Sequence, residues 1–388
     1  MRTSEDRRAS VPEGGTEPHR DQAVRHAVAL VRKWTAEAAP ALVWDATCVV
    51  DRHGLDRLPE RRTTPIVAAI LAAAGATMPH FSLPAGTGDW STADVMATLT
   101  GVELDRAAAA SAALRVGACI ARAEPADVAT NVPWNTAADD AHLVASAVSR
   151  RVAAGVRHLL VSVAVGRGAD VRGDACFRRL KTVFTEVGAA VGMQVHIARS
   201  AGSQPVGVGI GPTPEALDVL AVLRGAAAAP VDLRMRALAE AGQLLELCAA
   251  SPPGHGELDA WRLLDSGAAW ARFQALCEAQ GGLREPILAP FTETIAADRA
   301  GHVRSLDGAH VQRVAVLAGA PRGTGAGVVL HTRIGEPVER GQPLFTVHAA
   351  SQECLAAVIE ELRGAPLIAV GDEPAAAVTE FQGVHSKN

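Results

Sequence analysis

Apolar residues recur at helical spacing over residues 21–38, and Pro40 ends the segment. A short apolar run, Ala41 to Val50, reads as a strand and gives way to a polar loop, DRHGLDRLPERRTTP. Ile66 to Ala74 reads as an Ala-rich helix stopped by Gly75. Helices and short strands then alternate. Val116–Ala121 is strand-like, Ala141–Ala154 helical, Leu159–Val165 a buried strand, Cys176–Val191 a helix and Gln194–Ala198 a strand. Such alternation predicts an α/β fold, a sheet flanked by helices on both faces. Pro214–Leu223, Leu233–Ala249 and Trp261–Gln280 add helices. Beyond about residue 290, short strands recur between turns such as Asp307-Gly308 and Gly335-Glu336-Pro337.

Composition narrows the function. The 388 residues are 48% apolar and 20% charged, which supports a large core and excludes global disorder. Aromatics are 3% with no Tyr, too few stacking faces for sequence-tolerant binding of single-stranded nucleic acid. The net charge of -5 argues the same way for DNA. Lys33, Lys181 and Lys387 are the only lysines, so cationic sites must be built from guanidinium forks. Among six Cys the nearest pair, Cys248 and Cys277, lies 29 residues apart, and no CxxC or Cys/His metal spacing occurs. The thiols are expected to be buried and reduced, and no metal is expected. The first 20 residues are polar, and no apolar run reaches membrane-spanning length. A soluble cytoplasmic protein is expected, with no nucleic-acid or membrane partner.

Four segments could carry chemistry. Arg52-His53 with Arg61-Arg62-Thr63-Thr64 follows a strand and precedes a helix. This suits an anion site, or equally a solvated basic loop with Thr63 or Thr64 as helix cap. Ser82 to Thr92 (SLPAGTGDWST) offers glycines and flanking hydroxyls to a ligand, but lacks the GK[ST] of a Walker loop. As an isolated segment it is also compatible with an ordinary surface loop. Ser146 and Arg150 share one helix face at i and i+4, fit to read a polar planar group or merely to end a solvated helix. GSQPVGVGIGP (202–212) lacks the helix start and the acid that dinucleotide binding needs.

Together these segments resemble the thymidine phosphorylase / AMP phosphorylase family, the class II pyrimidine nucleoside phosphorylases, over residues 42 to 365. The likeness is nearest the AMP phosphorylase branch. VVDRHGLDRLPERRTTPIVAAILAAAG resembles the family's phosphate loop and following helix, EPAD (124–127) its APAD element, and ASAVSRRVAAG (145–155) its base-binding helix. AGAPRGTGAGVVLHTRIGEPVERGQPLFTVHA is similar to its C-terminal domain. The resemblance implies a mixed sheet domain flanked by helices, a small helical subdomain and a β-rich, barrel-sandwich C-terminal domain. The implied division is a disordered arm over 1–20, a helical subdomain over 21–40 and 127–155, and a phosphate-binding α/β domain over 41–126 and 156–290. The β-rich domain then covers 291–370 and a tail 371–388.

It also implies roles. Arg52, Thr64, Ser82 and Thr92 would bind phosphate; Arg52, His53 and Asp127 would be catalytic; Asn131, Ser146 and Arg150 would contact the base or nucleoside. Arg57, Arg61 and Arg62 favour an anionic substrate such as a 5′-monophosphate. The family cleaves an N-glycosidic bond with inorganic phosphate as co-substrate, without cofactor or metal, as a homodimer. This chain departs from the pattern at several places. Gly54 replaces the loop Ser, Asp56-Arg57 the Gly pair, Pro84 and Asn131 two Arg, and Ser162 an acid. The expected function is a glycosyltransferase giving base and ribose 1-phosphate, or ribose 1,5-bisphosphate from a nucleotide. The alternatives are a biosynthetic enzyme on an unusual nucleoside, an N-glycosyl hydrolase, or a non-catalytic nucleotide-binding paralogue.

Overall fold

The computed structural model describes residues 17–38, 41–55, 61–83, 85, 89–123, 139–166, 168–364 and 366–373. Of the arm expected over 1–20, residues 1–16 lie outside them and 17–20 instead begin a helix; of the tail expected over 371–388, residues 374–388 lie outside them and Gly371 ends a strand. Helix α1 (Glu17–Glu37) leads to β1 (Val50–Leu55), α2 (Thr63–Ala73), β2 (Met78–Ser82), α3 (Thr92–Ala97), α4 (Arg106–Val116) and β3 (Ala118–Arg122). Then come α5 (Asp140–Ala153), β4 (His158–Val165), α6 (Asp174–Ala190) and β5 (Gln194–Ala201). All pairings among these five strands are parallel. β1-β4-β5 and β2-β3 form two ladders, and a parallel bridge between Val49 and Thr77 joins them into the order β3-β2-β1-β4-β5. The α/β architecture read from the sequence is present, with helices on both faces.

The pattern misplaces one strand. The apolar run from Ala41 is mostly not extended in the sheet, because Leu42 donates its N–H to Ala153 and Trp44 Nε1 donates to the Ala154 carbonyl at the end of α5. The strand is instead β1, Val-Asp-Arg-His-Gly-Leu, part of the presumed polar loop. Charged residues can occupy a central strand when each meets a partner, as Asp51 and Arg52 do below.

A β6 strand (Gly209–Ile210) precedes α7 (Pro212–Leu223), α8 (Val231–Leu247), α9 (Gly256–Asp265) and α10 (Ala268–Ala279). The single helix expected over Trp261–Gln280 is broken between α9 and α10, where Gly267 adopts a left-handed φ of 79°. The remaining elements are β7 (Phe291–Ala296), β8 (Gly301–Leu306), α11 (Gly308–Leu317), β9 (Gly327–Leu330), β10 (Pro337–Val338), β11 (Pro343–Ala349), α12 (Gln352–Gly364) and β12 (Ile368–Gly371). They form an antiparallel sheet β6-β9-β11-β7 and a second, β10-β8-β12, with α11 and α12 packed on the β-rich core.

Two apolar clusters lie on opposite faces of the parallel sheet. One gathers Val50 and Leu160 with α2, α7, α8 and α10 and continues into the C-terminal sheets. The other gathers Val49, Leu159, Val161 and Val163 with α1, α5 and α6. The expectation of six reduced thiols is corrected: Cys48, at the entry of β1, is disulfide-bonded to Cys248, which caps α8. Their separation of 200 residues puts the pair beyond any spacing rule. Cys119, Cys176 and Cys277 are buried and Cys354 is half-buried, and none of the four is in a disulfide. Among the described residues no helix is long and apolar enough to cross a membrane.

Candidate functional site

Parallel strands release their loops on one side, and α/β sheets bind ligands at those carboxyl ends. The phosphate-loop segment leaves β1, the Ser82 loop leaves β2, and the EPAD segment leaves β3. The strand order therefore starts these three segments, two read from the residues and one from the resemblance, from the same side of the sheet. Arg57, Asp127 and Asn131 lie outside the described residues.

Side chains alternate along β1, so Arg52 points to one face and Asp51 and His53 to the other. Arg52 is almost fully buried. Its Nε donates to Glu240 Oε2 at 2.6 Å, its Nη2 to Glu240 Oε1 at 3.3 Å and its Nη1 to Thr64 Oγ1 at 2.8 Å. This two-pronged pair is the strong geometry for a guanidinium and a carboxylate. Arg62, not Thr63 or Thr64, occupies the N-cap of α2, and that position makes no side-chain cap bond. The Thr64 hydroxyl instead faces Arg52. On β2, Ser82 Oγ accepts the N–H of Ala93 at 3.1 Å, which brings Ser82 beside Thr92 at the start of α3. Ser91 caps that helix in a reciprocal box with Asp94.

On the opposite face Asp51 is a hub. Its Oδ1 accepts from His80 Nδ1 and from the Arg52 N–H, both at 2.8 Å, and its Oδ2 accepts from Arg151 Nε at 2.9 Å. Arg151 Nη2 also donates to the Arg52 carbonyl at 2.9 Å, clipping α5 onto β1. Burial alone would raise the Asp51 pKa, but His80 and Arg151 outweigh it and hold the carboxyl below its ordinary value. His53 is driven well below the usual histidine value, first by burial and then by Arg151, Arg150 and Arg52, so it is neutral at pH 7.

α5 buries both Ser146 and Arg150, the two residues singled out at i and i+4. Arg150 is 7% exposed, and its Nε finds no hydrogen-bond partner among the described residues. Burial, and then Arg151 beside it, pushes its pKa down to about 9. Asp51, the carboxylate that acts on it, is already bonded to Arg151 and His80. At neutral pH Arg150 is thus a buried positive charge that, among the described residues, has no carboxylate of its own.

Two of the arginines assigned to an anionic substrate are otherwise engaged. Arg62 is a correction: it is 0% exposed, bonded to Asp218 and 3.6 Å from Glu215, so its charge is spent inside the protein. Trp90 Nε1 donates to the same Glu215 at 2.6 Å. Arg61 pairs with the partly exposed Asp89 and stacks over Trp90 at 5.1 Å, which leaves it nearer the surface. Sequence reasoning missed Glu240, Asp51, His80 and Arg151. Asp51 and Arg151 adjoin named residues and could have been found there. Glu240, on a helix 188 residues from Arg52, carries no local signal.

A parallel α/β core with ligand loops at the carboxyl ends defines the class of fold. Anthranilate phosphoribosyltransferase from Thermus thermophilus superposes with a TM-score of 0.51, covering 66% of this chain and 84% of that one at 16% identity. The two share the fold. Within that class, residues 302–369 match the family "Pyrimidine nucleoside phosphorylase C-terminal domain". A Cupriavidus necator protein named "Putative thymidine phosphorylase 1" is 50% identical over 315 residues, 79% of this chain and 61% of that protein. An Acidovorax sp. (strain JS42) protein of the same name is 47% identical over 329 residues, 83% of this chain and 64% of that protein. The chain is similar to proteins named putative thymidine phosphorylase, and its residues 302–369 match the C-terminal domain of pyrimidine nucleoside phosphorylases. It spans less than two thirds of the length of these relatives.

Proposed function

We propose that this protein is a pentosyltransferase that cleaves the N-glycosidic bond of a nucleoside or nucleoside 5′-monophosphate with inorganic phosphate, needing no cofactor. The products are the free base and ribose 1-phosphate, or ribose 1,5-bisphosphate from a nucleotide. The observation that carries this reading is Arg150, a buried guanidinium whose Nε has no partner among the described residues, beside His53 and Asp51 of β1. Charge developing on a departing base needs fixed donors, and a desolvated guanidinium is a strong one. Ser146, one turn earlier, supplies a second donor. His53, on β1, is neutral and adds no repulsion to that charge. Thr64, Ser82 and Thr92, with Arg52, are the phosphate ligands under this reading, and homodimer formation remains part of it.

The test is chromatographic release of base from a panel of nucleosides and 5′-monophosphates, with and without phosphate. The expected outcome is phosphate-dependent release with a phosphorylated pentose as co-product. Release without phosphate would make the protein a hydrolase, and no release under either condition would remove the enzymatic reading. Arg52→Ala is expected to raise the phosphate KM or abolish turnover; unchanged phosphate kinetics would remove Arg52 from the site.

One observation favours a second reading. Arg52 is already neutralised by Glu240, so an incoming phosphate must share the guanidinium with a carboxylate. A nucleotide-binding paralogue without turnover fits that pairing. Saturable binding of a nucleoside monophosphate, with no base released, would select it.

A further inference from the structure

Away from the sheet, α1 and the start of α5 bring together three groups that the chemistry above does not use. His26 projects from α1, Asp139 is the N-cap of α5, and His142 lies one turn into that helix. One donor atom from each lies within 4.8 Å of the others, and Asp139 Oδ1 is 3.0 Å from His142 Nδ1. The two imidazole rings meet edge to face with centroids 5.1 Å apart. Ala27 and Val31 of α1 and Ala141, Val144 and Ala145 of α5 are buried in one apolar cluster just beneath. Packing of the two helices thus sets the spacing of the three groups before any ligand arrives.

The local charges leave the carboxylate available. Among the described residues no Arg or Lys pairs with Asp139, while the neighbouring Asp140 is bonded to Arg179. Zinc-class ions hold imidazole nitrogen and carboxylate oxygen at roughly 2.0–2.2 Å, so two ligands of one ion stand at most about 4.4 Å apart. The exposed His26 side chain needs only a small rotation to meet that limit.

We propose that His26, Asp139 and His142 form a binding site for a divalent transition-metal ion that staples α1 to the N-terminal end of α5. Two imidazoles and one carboxylate suit Zn²⁺, Co²⁺ or Ni²⁺ rather than Mg²⁺ or Ca²⁺, which prefer all-oxygen shells. The solvent side leaves further coordination positions to water. The same helix carries Ser146 and Arg150 farther along, so the staple fixes the end of the element that presents them.

Titration of the full chain with Co²⁺, followed by visible absorption, tests the site directly, with Zn²⁺ competition and thermal unfolding in parallel. One equivalent is expected, with a ligand-field band that Zn²⁺ abolishes and a rise in Tm. The double variant His26→Ala, His142→Ala is expected to lose the band. Asp139→Asn, which caps a helix as well as Asp, is expected to weaken binding at least tenfold without unfolding α5. A band and stoichiometry unchanged in the double variant would overturn the proposal. So would loss of the band in Cys354→Ser, which would place the ion on a thiol, and so would no saturable binding at all.

Discussion

On the face of β1 that meets α2 and α8, Arg52 is closed by Glu240 and Thr64, and Arg62 by Asp218 and Glu215. On the face that meets α5, Arg151 takes Asp51 while Arg150, equally buried, keeps an unmatched Nε. The first face sets three carboxylates against two guanidiniums, whereas among the described residues the second sets one carboxylate, Asp51, against two. A buried ion costs several kcal/mol unless it is paired, so a fold keeps such an excess where a ligand can complete it. Arginine count alone, which marks Arg52, Arg61 and Arg62 as readily as Arg150, does not separate these cases. Counting the carboxylates does.

The sharpest way to break the contrast is to make the closed face resemble the open one. Glu240→Gln leaves Arg52 buried opposite a neutral amide. Removing one partner of a buried pair destabilises by about 3–5 kcal/mol, and denaturant unfolding should show a loss of that order. A loss below about 1 kcal/mol would mean that Arg52 finds its compensation elsewhere and that the two faces are alike.

The opposite experiment relieves the open face. Arg150→Met keeps much of the volume and removes the excess charge. Stability is expected to hold or to rise by about 1–3 kcal/mol, since no partner is orphaned. Base release under the proposed reaction is expected to fall by about 10²-fold, the usual cost of losing one donor to developing charge. Destabilisation on the scale of Glu240→Gln would show that Arg150 has a partner on which the fold depends, as Arg52 has in Glu240.

The contrast was only partly legible in the sequence. Alternating helix and strand is visible because burial on both faces imposes continuous apolar runs such as Leu159–Val165. β1 escapes this logic, since Asp51, Arg52 and His53 mimic a loop until Arg151, Glu240 and His80 are known to be opposite. Ser146 and Arg150 could be paired at once because one helix turn joins them. Thr64 was placed on the correct helix start, but its hydroxyl serves Arg52 and not the cap. The Cys48–Cys248 bond and the Glu240 partner depend on contacts across about half the chain, and no local pattern encodes those.

The smallest expected effect concerns the protons on the open face. Burial first, and then the charges of Arg151, Arg150 and Arg52, hold the native His53 pKa well below 6.5. Below about pH 6.5 the unfolded chain binds a proton at this residue that the native chain refuses. Stability contributed by neutral His53 is therefore complete above that pH and declines as the pH falls. Each such histidine adds at most about 1.4 kcal/mol per pH unit to the slope. His158, His196 and His331 are shifted in the same direction and contribute a background. His53→Gln should accordingly flatten, but not abolish, the fall in unfolding free energy between pH 6.5 and 5. Comparing that slope in Arg150→Met sharpens the point: with the Arg150 charge gone, His53 should take its proton at a higher pH than in the wild type, and the fall should ease. An NMR titration that places His53 at its ordinary value in both proteins would show that the α5 face holds no excess of positive charge.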